Sequence, residues 1–227
     1  MASKEGDPKD VLFADDAGHF GSEPWGGTAR AACGFYWTEG VRGLGWGGMA
    51  IPTLKGGSTV GVPSPPAMLL PGGRIITPSI EDAERLQGFR KGWTKPAERI
   101  AKPGFRWRLV GNAVSVPVAR WVGECLARPG KAEPTCTREV STGEPLPDAA
   151  WNDGTAMLSA AISKWPKRPR KQSSLASFLT GQSRLLSPRA TAGFYLRATE
   201  RSKLTFQPGF LDAVAHHLEA MGGAPKR

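Results

Sequence analysis

The stretch RWRLVGNAVSVPVARWVGECL, Arg106 to Leu126, decides how the rest of this chain is read. With Phe105 in front of it, the run FRWRLV alternates apolar and basic residues, and that alternation predicts a strand with one buried face. Gly111-Asn112 then predicts a tight turn. A helix follows, with Pro117 tolerable in its first turn. Val118, Trp121, Val122, Cys125 and Leu126 recur at helical spacing. They make a single apolar stripe, and such a stripe has to pack on something large.

Upstream, Ser79 is suited to cap a helix, with Asp82 three positions on. Ile80, Ala83, Leu86 and Gln87 continue at helical spacing, and Gly88 can close the helix in a left-handed conformation. Residues 79–128 are therefore the most regular block. Residues 21–78 are instead rich in Gly, Pro, Thr and Ser, with short β-type pieces (GFYWTEGV, MAIPTL, STVGV, GRIIT) between turn clusters. They predict a small, loop-rich, mostly β module. Residues 1–20 carry a short apolar run, DVLFADDAG, expected at the end of a strand region. Residues 129–150 read as a linker. In 151–227 helices are predicted from Ser187-Pro188 to about Arg201 and from Phe210 to Met221, which makes this part a basic helical extension.

The 227 residues carry a net charge of +10, and the excess lies beyond residue 80. Residues 1–80 are close to neutral, while 81–128 hold ten Lys/Arg against five acids. Such a basic excess suits a polyanionic partner, most simply nucleic acid. No Asp or Glu occurs between Arg42 and Ile80, whereas Arg42, Lys55 and Arg74 do. That surface suits close approach to phosphates, or is a Gly-rich loop region that happens to lack acids. No run approaches the roughly 18 apolar residues that would cross a bilayer, and the first residues have no apolar core of signal-peptide type. A cytoplasmic, nucleoid-associated protein is expected. Cys33, Cys125 and Cys136 follow no metal spacing, so neither a disulfide framework nor structural zinc is expected.

Three local patterns are weak. GLGWGG, Gly43 to Gly48, matches a dinucleotide fingerprint but has no acid before Glu81 and is soon followed by Pro52. His216 and His217 point about 100° apart on a helix, which predicts a solvated or edge pair rather than a metal site. The basic run KWPKRPRKQ, Lys164 to Gln172, suits either phosphate binding or a solvated spacer.

The strongest pattern is the pair ERLQGF (Glu84 to Phe89) and GNAVSVPVA (Gly111 to Ala119). These strings resemble, in order, the ninth and tenth signature motifs of DNA (cytosine-5) methyltransferases. FADDAGHFG, GFYWTEGVRGLGW and PTLKGGSTVGVPSPP, with the Thr53-Leu54 pair, resemble that family's target-recognition region. SPRATAGFYLRATERSKL is similar to the tails of some long members. The resemblance covers residues 1 to about 128 well and the remainder loosely. It implies a mixed α/β fold: a small loop-rich β target-recognition domain (21–78), the ninth and tenth motif helices (79–128), and in the latter the closing helix of an incomplete Rossmann-like domain. The implied reaction is methyl transfer from S-adenosylmethionine to C5 of a flipped cytosine in double-stranded DNA.

The family's nucleophile lies in a Pro-Cys motif and its supporting acid in Glu-Asn-Val. Here Ala32, Glu124 and Thr135 precede the cysteines, and no Glu-Asn dipeptide occurs. No catalytic residue is therefore expected within these residues. The resemblance implies a partner chain that carries both motifs, and a sheet for the terminal helix to rest on. A stand-alone DNA-binding module and an inactive truncated remnant are the alternatives. By the same resemblance, Asn112, Ala113 and Ser115, beside Gly111, would meet the cofactor. Thr53, Leu54, Lys55, Gly56, Gly57 and Ser58 would face DNA. Arg85, Gln87 and Gly88 would organise the ninth motif, with Arg85 on backbone carbonyls. One departure from the family pattern puts the local turn in doubt: Gly88-Phe89-Arg90 stands where Gly-Phe-Pro is usual.

Overall fold

The computed structural model describes residues 6–18, 31–57, 65–132, 137–147, 149–163, 165–168, 173–200 and 202–224. Ser58 and Cys136 lie outside them, as do Lys164 and 169–172 of the basic run. The fold is mixed α/β, with antiparallel sheets. The chain forms two compact units, Met1–Glu23 with Pro117–Gln172 and Pro24–Val116 with Ser173–Arg227.

The larger unit is built on five antiparallel strands: β1 (Cys33–Phe35), β2 (Trp46–Gly48), β3 (Ala67–Leu69), β4 (Ile75–Thr77) and β8 (Arg184–Leu185), in the order β2-β1-β3-β4-β8. The alternation of strand side chains sends Phe35, Ala67, Leu69 and Ile75 to one face and Met68 and Ile76 to the other. Both faces are covered, which is why these short strands read as continuous apolar runs. The first face receives α5 (Pro188–Glu200) and α6 (Phe210–Ala220). Ser187 caps α5, its hydroxyl accepting the Ala190 N–H at 3.3 Å. At the centre Phe35, Phe194 and Phe210 are fully buried, with ring centroids 4.5 Å (Phe35–Phe194) and 5.4 Å (Phe35–Phe210) apart.

The second sheet-forming region, in the smaller unit, has order β5-β7-β6: β5 (Thr137–Glu139), β6 (Ala150–Asn152) and β7 (Met157–Ala160). This corrects two sequence readings. The stretch 129–150 contains β5 and is more than a linker, and 151–227 contains strands as well as helices. Strands of three or four residues, half exposed, leave too little apolar pattern to be read. The run 1–20 is also corrected: it forms α1 (Pro8–Leu12), not the end of a strand. Asp7 caps it by accepting the Lys9 N–H at 2.9 Å, and Pro8 begins it.

His217 does not sit at a solvated edge. It is 5% exposed. Its Nδ1 accepts the Ile75 N–H at 3.3 Å and its Nε2 lies 3.1 Å from the Leu186 carbonyl. The ring therefore carries its proton on Nε2 and bridges two backbone groups at the end of the β4 ladder. His217→Leu would leave both groups buried and unpaired. We expect a loss of about 1–3 kcal/mol, read as a lower midpoint in chemical denaturation. His216→Leu, on the neighbouring position, should change it little.

Candidate functional site

The first resembling motif and the second up to Val116 meet in the larger unit. The first lies on α2 (Ile80–Leu86), capped by Ser79, whose hydroxyl accepts the Asp82 N–H at 3.1 Å. The helix ends in a Schellman arrangement: Gly88 N–H donates to Arg85 O and Phe89 N–H to Glu84 O. Gly88 has φ 89°, the left-handed value that favours glycine. Arg90, in place of the usual proline, leaves this turn intact; its guanidinium lies 5.9 Å from the Trp93 ring.

The predicted strand FRWRLV is a helix, α3 (Phe105–Asn112). The residues that turn inward are Arg106 and Val110, four apart, 4% and 1% exposed. Phe105 and Leu109 face out. Reading the apolar residues as the inner face fails because the buried position is a charged one. Arg106 is held by three carboxylates: Glu98 at 2.8 Å, Glu84 at 3.1 Å and Glu81 at 3.3 Å. Glu84, fully buried, also accepts from Gly92 N–H, Thr94 N–H and the Thr94 hydroxyl at 2.5–2.7 Å. Burial pushes the Glu84 carboxyl up, but the Thr94, Arg106 and Gly92 donors outweigh it and hold it below the ordinary 4.5.

Gln87 joins the motifs. Its side-chain Nε2 donates to Val110 O at 3.0 Å and Ala113 O at 3.1 Å, and its backbone carbonyl accepts the Val116 N–H at 2.8 Å. It thus serves carbonyls at the end of α3 and an N–H at the start of α4 (Val116–Ala127), groups that helix ends leave unpaired. Arg85 donates to the Phe178 carbonyl at 2.6 Å and the Thr180 hydroxyl at 2.7 Å. Asp82, absent from the sequence reading except as a capping position, is fully buried and accepts the Thr180 and Gly181 N–H groups at 2.8 and 3.0 Å.

The loop 51–57 lies directly on the end of α3. Gly111 is helical, not part of a tight turn. Its glycine is required because a Cβ there would collide with the backbone of Lys55 and Gly56. A Cβ on Gly56 would in turn stand 2.6 Å from Asn112 Oδ1. The structure so brings together Lys55 and Gly56, expected to face DNA, and Gly111 and Asn112, expected beside the cofactor. Leu54 is corrected. Its side chain is buried with Ala83 and Val110 and anchors the loop, so it does not face outward. Thr53 is exposed, and its carbonyl accepts the Tyr36 hydroxyl at 2.5 Å. Lys55 is already compensated, 3.4 Å from Glu39 Oε1 and 4.1 Å from the Tyr36 ring centre. Asn112 is exposed, Ala113 and Ser115 are half-buried, and neither the Asn112 amide nor the Ser115 hydroxyl bonds a described residue.

In the smaller unit, the stripe of α4 is half covered. Trp121 Nε1 donates to Asp15 at 3.1 Å and Cys125 is buried beside the same carboxylate. Val118 and Leu126 remain 51% and 54% exposed. Neither described thiol is activated. Burial pushes Cys33 up to about 12. Burial, and then the Asp15 charge, also raises Cys125. Among the described residues no group of three or more His, Cys, Asp or Glu could hold a metal ion, and no helix is long and apolar enough to cross a membrane. GLGWGG begins at the end of a 3-10 turn (Val41–Gly43), runs into β2 and opens no helix.

With these features in view, the chain is similar to a type II methyltransferase, 40% identical over 220 residues that cover 94% of it. That relative is M2.BsuMI of Bacillus subtilis strain 168, and the chain spans 56% of its length. No family model matches the chain. No solved structure matches it either.

Two outcomes follow from this geometry. Gly111→Ala should cost about 1–3 kcal/mol by overpacking against the loop, whereas Gly123→Ala, with open space around it on α4, should be neutral or stabilising. Because the folded value of Glu84 is depressed, its contribution is present above pH 4.5 and is lost as pH falls through that lower value. Urea titrations from pH 7 downward should show this acid sensitivity in the native protein and less of it in Glu84→Gln. That variant should also lose about 3 kcal/mol at pH 7, through a buried Arg106 left short of one partner.

Proposed function

We propose that this chain supplies the target-recognition part and one edge of the cofactor pocket of an S-adenosylmethionine-dependent DNA (cytosine-5) methyltransferase. The observation that carries this reading is the seating of Lys55 and Gly56 on Gly111 and Asn112. A loop suited to DNA and a turn suited to the cofactor then form one rigid piece, as an enzyme needs if binding its target is to place the base near the methyl donor. The similarity to a type II methyltransferase supports the same reading.

Thr53, Gly56 and Gly57, with Ser58 beyond the described residues, present a hydroxyl and backbone N–H groups to the duplex, and Lys55 a cation already paired with Glu39. Asn112 and Ser115 fit the edge of a polar ligand, since an exposed amide and a half-buried hydroxyl stand free of described partners beside Ala113. S-adenosylmethionine supplies the methyl group. Gln87 fixes the turn that carries these residues, and Arg85 and Gly88 fix the end of α2. The nucleophile and its supporting acid come from polypeptide other than these 227 residues, on the same or on a partner chain. The raised thiols of Cys33 and Cys125 and the absence of a Pro-Cys or Glu-Asn dipeptide support that assignment. Val118 and Leu126, exposed on α4, give such a polypeptide an apolar surface on which to rest.

The test is transfer of labelled methyl groups from S-adenosylmethionine to duplex DNA. The 227-residue chain alone should transfer none. Adding a polypeptide that carries Pro-Cys and Glu-Asn-Val motifs should produce 5-methylcytosine. Transfer by the chain alone, or methylation confined to adenine in the mixture, overturns the reading.

A further inference from the structure

The cation expected to meet phosphates, Lys55, is compensated within the protein, which raises the question of where the unbalanced positive charge lies. A large share of it lies on the segment between the two motifs. From Arg90 to Arg108 the chain has seven cations and one acid, Glu98. Arg106 is buried, and it draws Glu98, Glu81 and Glu84 toward itself. The other six, Arg90, Lys91, Lys95, Arg99, Lys102 and Arg108, are all exposed, and none forms an ion pair with a described residue. One buried guanidinium thereby pairs the neighbouring carboxylates, Glu84 in the interior and Glu81 and Glu98 at its partly exposed edge, and leaves the other cations of the segment as a cationic strip.

The strip is held in place. Glu84 receives the Gly92 and Thr94 N–H groups, and Arg106 spans from α3 to Glu98, so the segment is tied at both ends to the helices. Cations fixed in this way lose less freedom on binding than cations on a loose tail. Trp93 and Ile100 stand in the strip 54% and 91% exposed. Such apolar side chains among cations suit a nucleic-acid surface better than an ordinary solvated face. The strip also runs into the recognition loop, because a Cβ on Gly56 would lie 3.2 Å from the Arg108 carbonyl.

We propose that residues 90–108 form a second contact with duplex DNA, a sequence-independent phosphate-binding strip that leads into the recognition loop. The proposal rests on the reading of the chain as DNA-directed. The strip supplies affinity and orientation, while the loop supplies discrimination.

The experiment is fluorescence anisotropy of the full 227-residue chain on a random-sequence duplex across a range of salt. Each phosphate contact contributes a slope of about −0.9 in log K against log salt. Lys95→Gln/Arg99→Gln/Lys102→Gln should make the slope shallower by roughly 2–3 and weaken binding about tenfold or more near 0.1 M salt. Its circular dichroism melt should be unchanged, since these side chains are exposed and unpaired. Lys95→Arg/Lys102→Arg, which keeps the charge, should bind as the native chain does. If the native chain binds duplex and the triple variant keeps its slope, the strip is wrong and the methyltransferase reading stands. If the native chain binds no duplex at any salt, both fail. If the triple variant keeps duplex binding but loses binding to polyglutamate, the strip serves an acidic protein and the proposal is overturned.

Discussion

The buried pairing of Glu84 with Arg106 is the constraint on which the motif-bearing part of this protein depends. A charged side chain inside a protein is tolerated only when its partners are complete. Glu84 has donors from Gly92, Thr94 and Arg106, and Arg106 has three carboxylates. Satisfying both fixes the angle at which α3 meets α2 and the path of the chain between them. With α3 in place, Gly111 faces the loop and Val110 closes the small core around Leu54 and Ala83.

That packing gives the proposed site its unity. Gln87 holds the end of α3 and the start of α4 through three hydrogen bonds, so the turn 113–115 has little freedom of its own. The loop 51–57 is pinned by Leu54 from beneath and by Tyr36 through the Thr53 carbonyl. Burial raises the Tyr36 phenol further above neutrality, so it remains a donor. Movement of the loop would therefore be felt at Asn112. Coupling of the proposed target loop to the proposed cofactor edge needs no more than this contact.

The same ion pair shapes the surface. Composition records a basic region, yet composition treats all cations alike. In the structure Arg106 is neutralised and gathers the local acids, Lys55 is neutralised by Glu39, and the six strip cations have no such compensation. Between Arg42 and Arg108, the exposed cations without an ion pair to a described residue are therefore gathered mainly on 90–108 rather than on the acid-free stretch 43–80. Charge placement, rather than net charge, is what a polyanion would sense.

Much of the local structure was written in residue order. The Ser79 cap, the left-handed Gly88, the helices 188–200 and 210–220, and the order of the two motifs need only side-chain type and short-range spacing. Long-range partners were not so written. FRWRLV alternates like a strand, and three carboxylates, Glu81 and Glu84 among them far along the chain, make Arg106 an interior residue of a helix. Leu54 looked like part of an outward loop until α2 and α3 gave it a core. His217 became a buried bridge because β4 needed a hydrogen-bond partner at its end. Short-range chemistry set the caps and turns, whereas the burial of a charge, a loop residue or a histidine depends on groups that only the folded chain brings within reach.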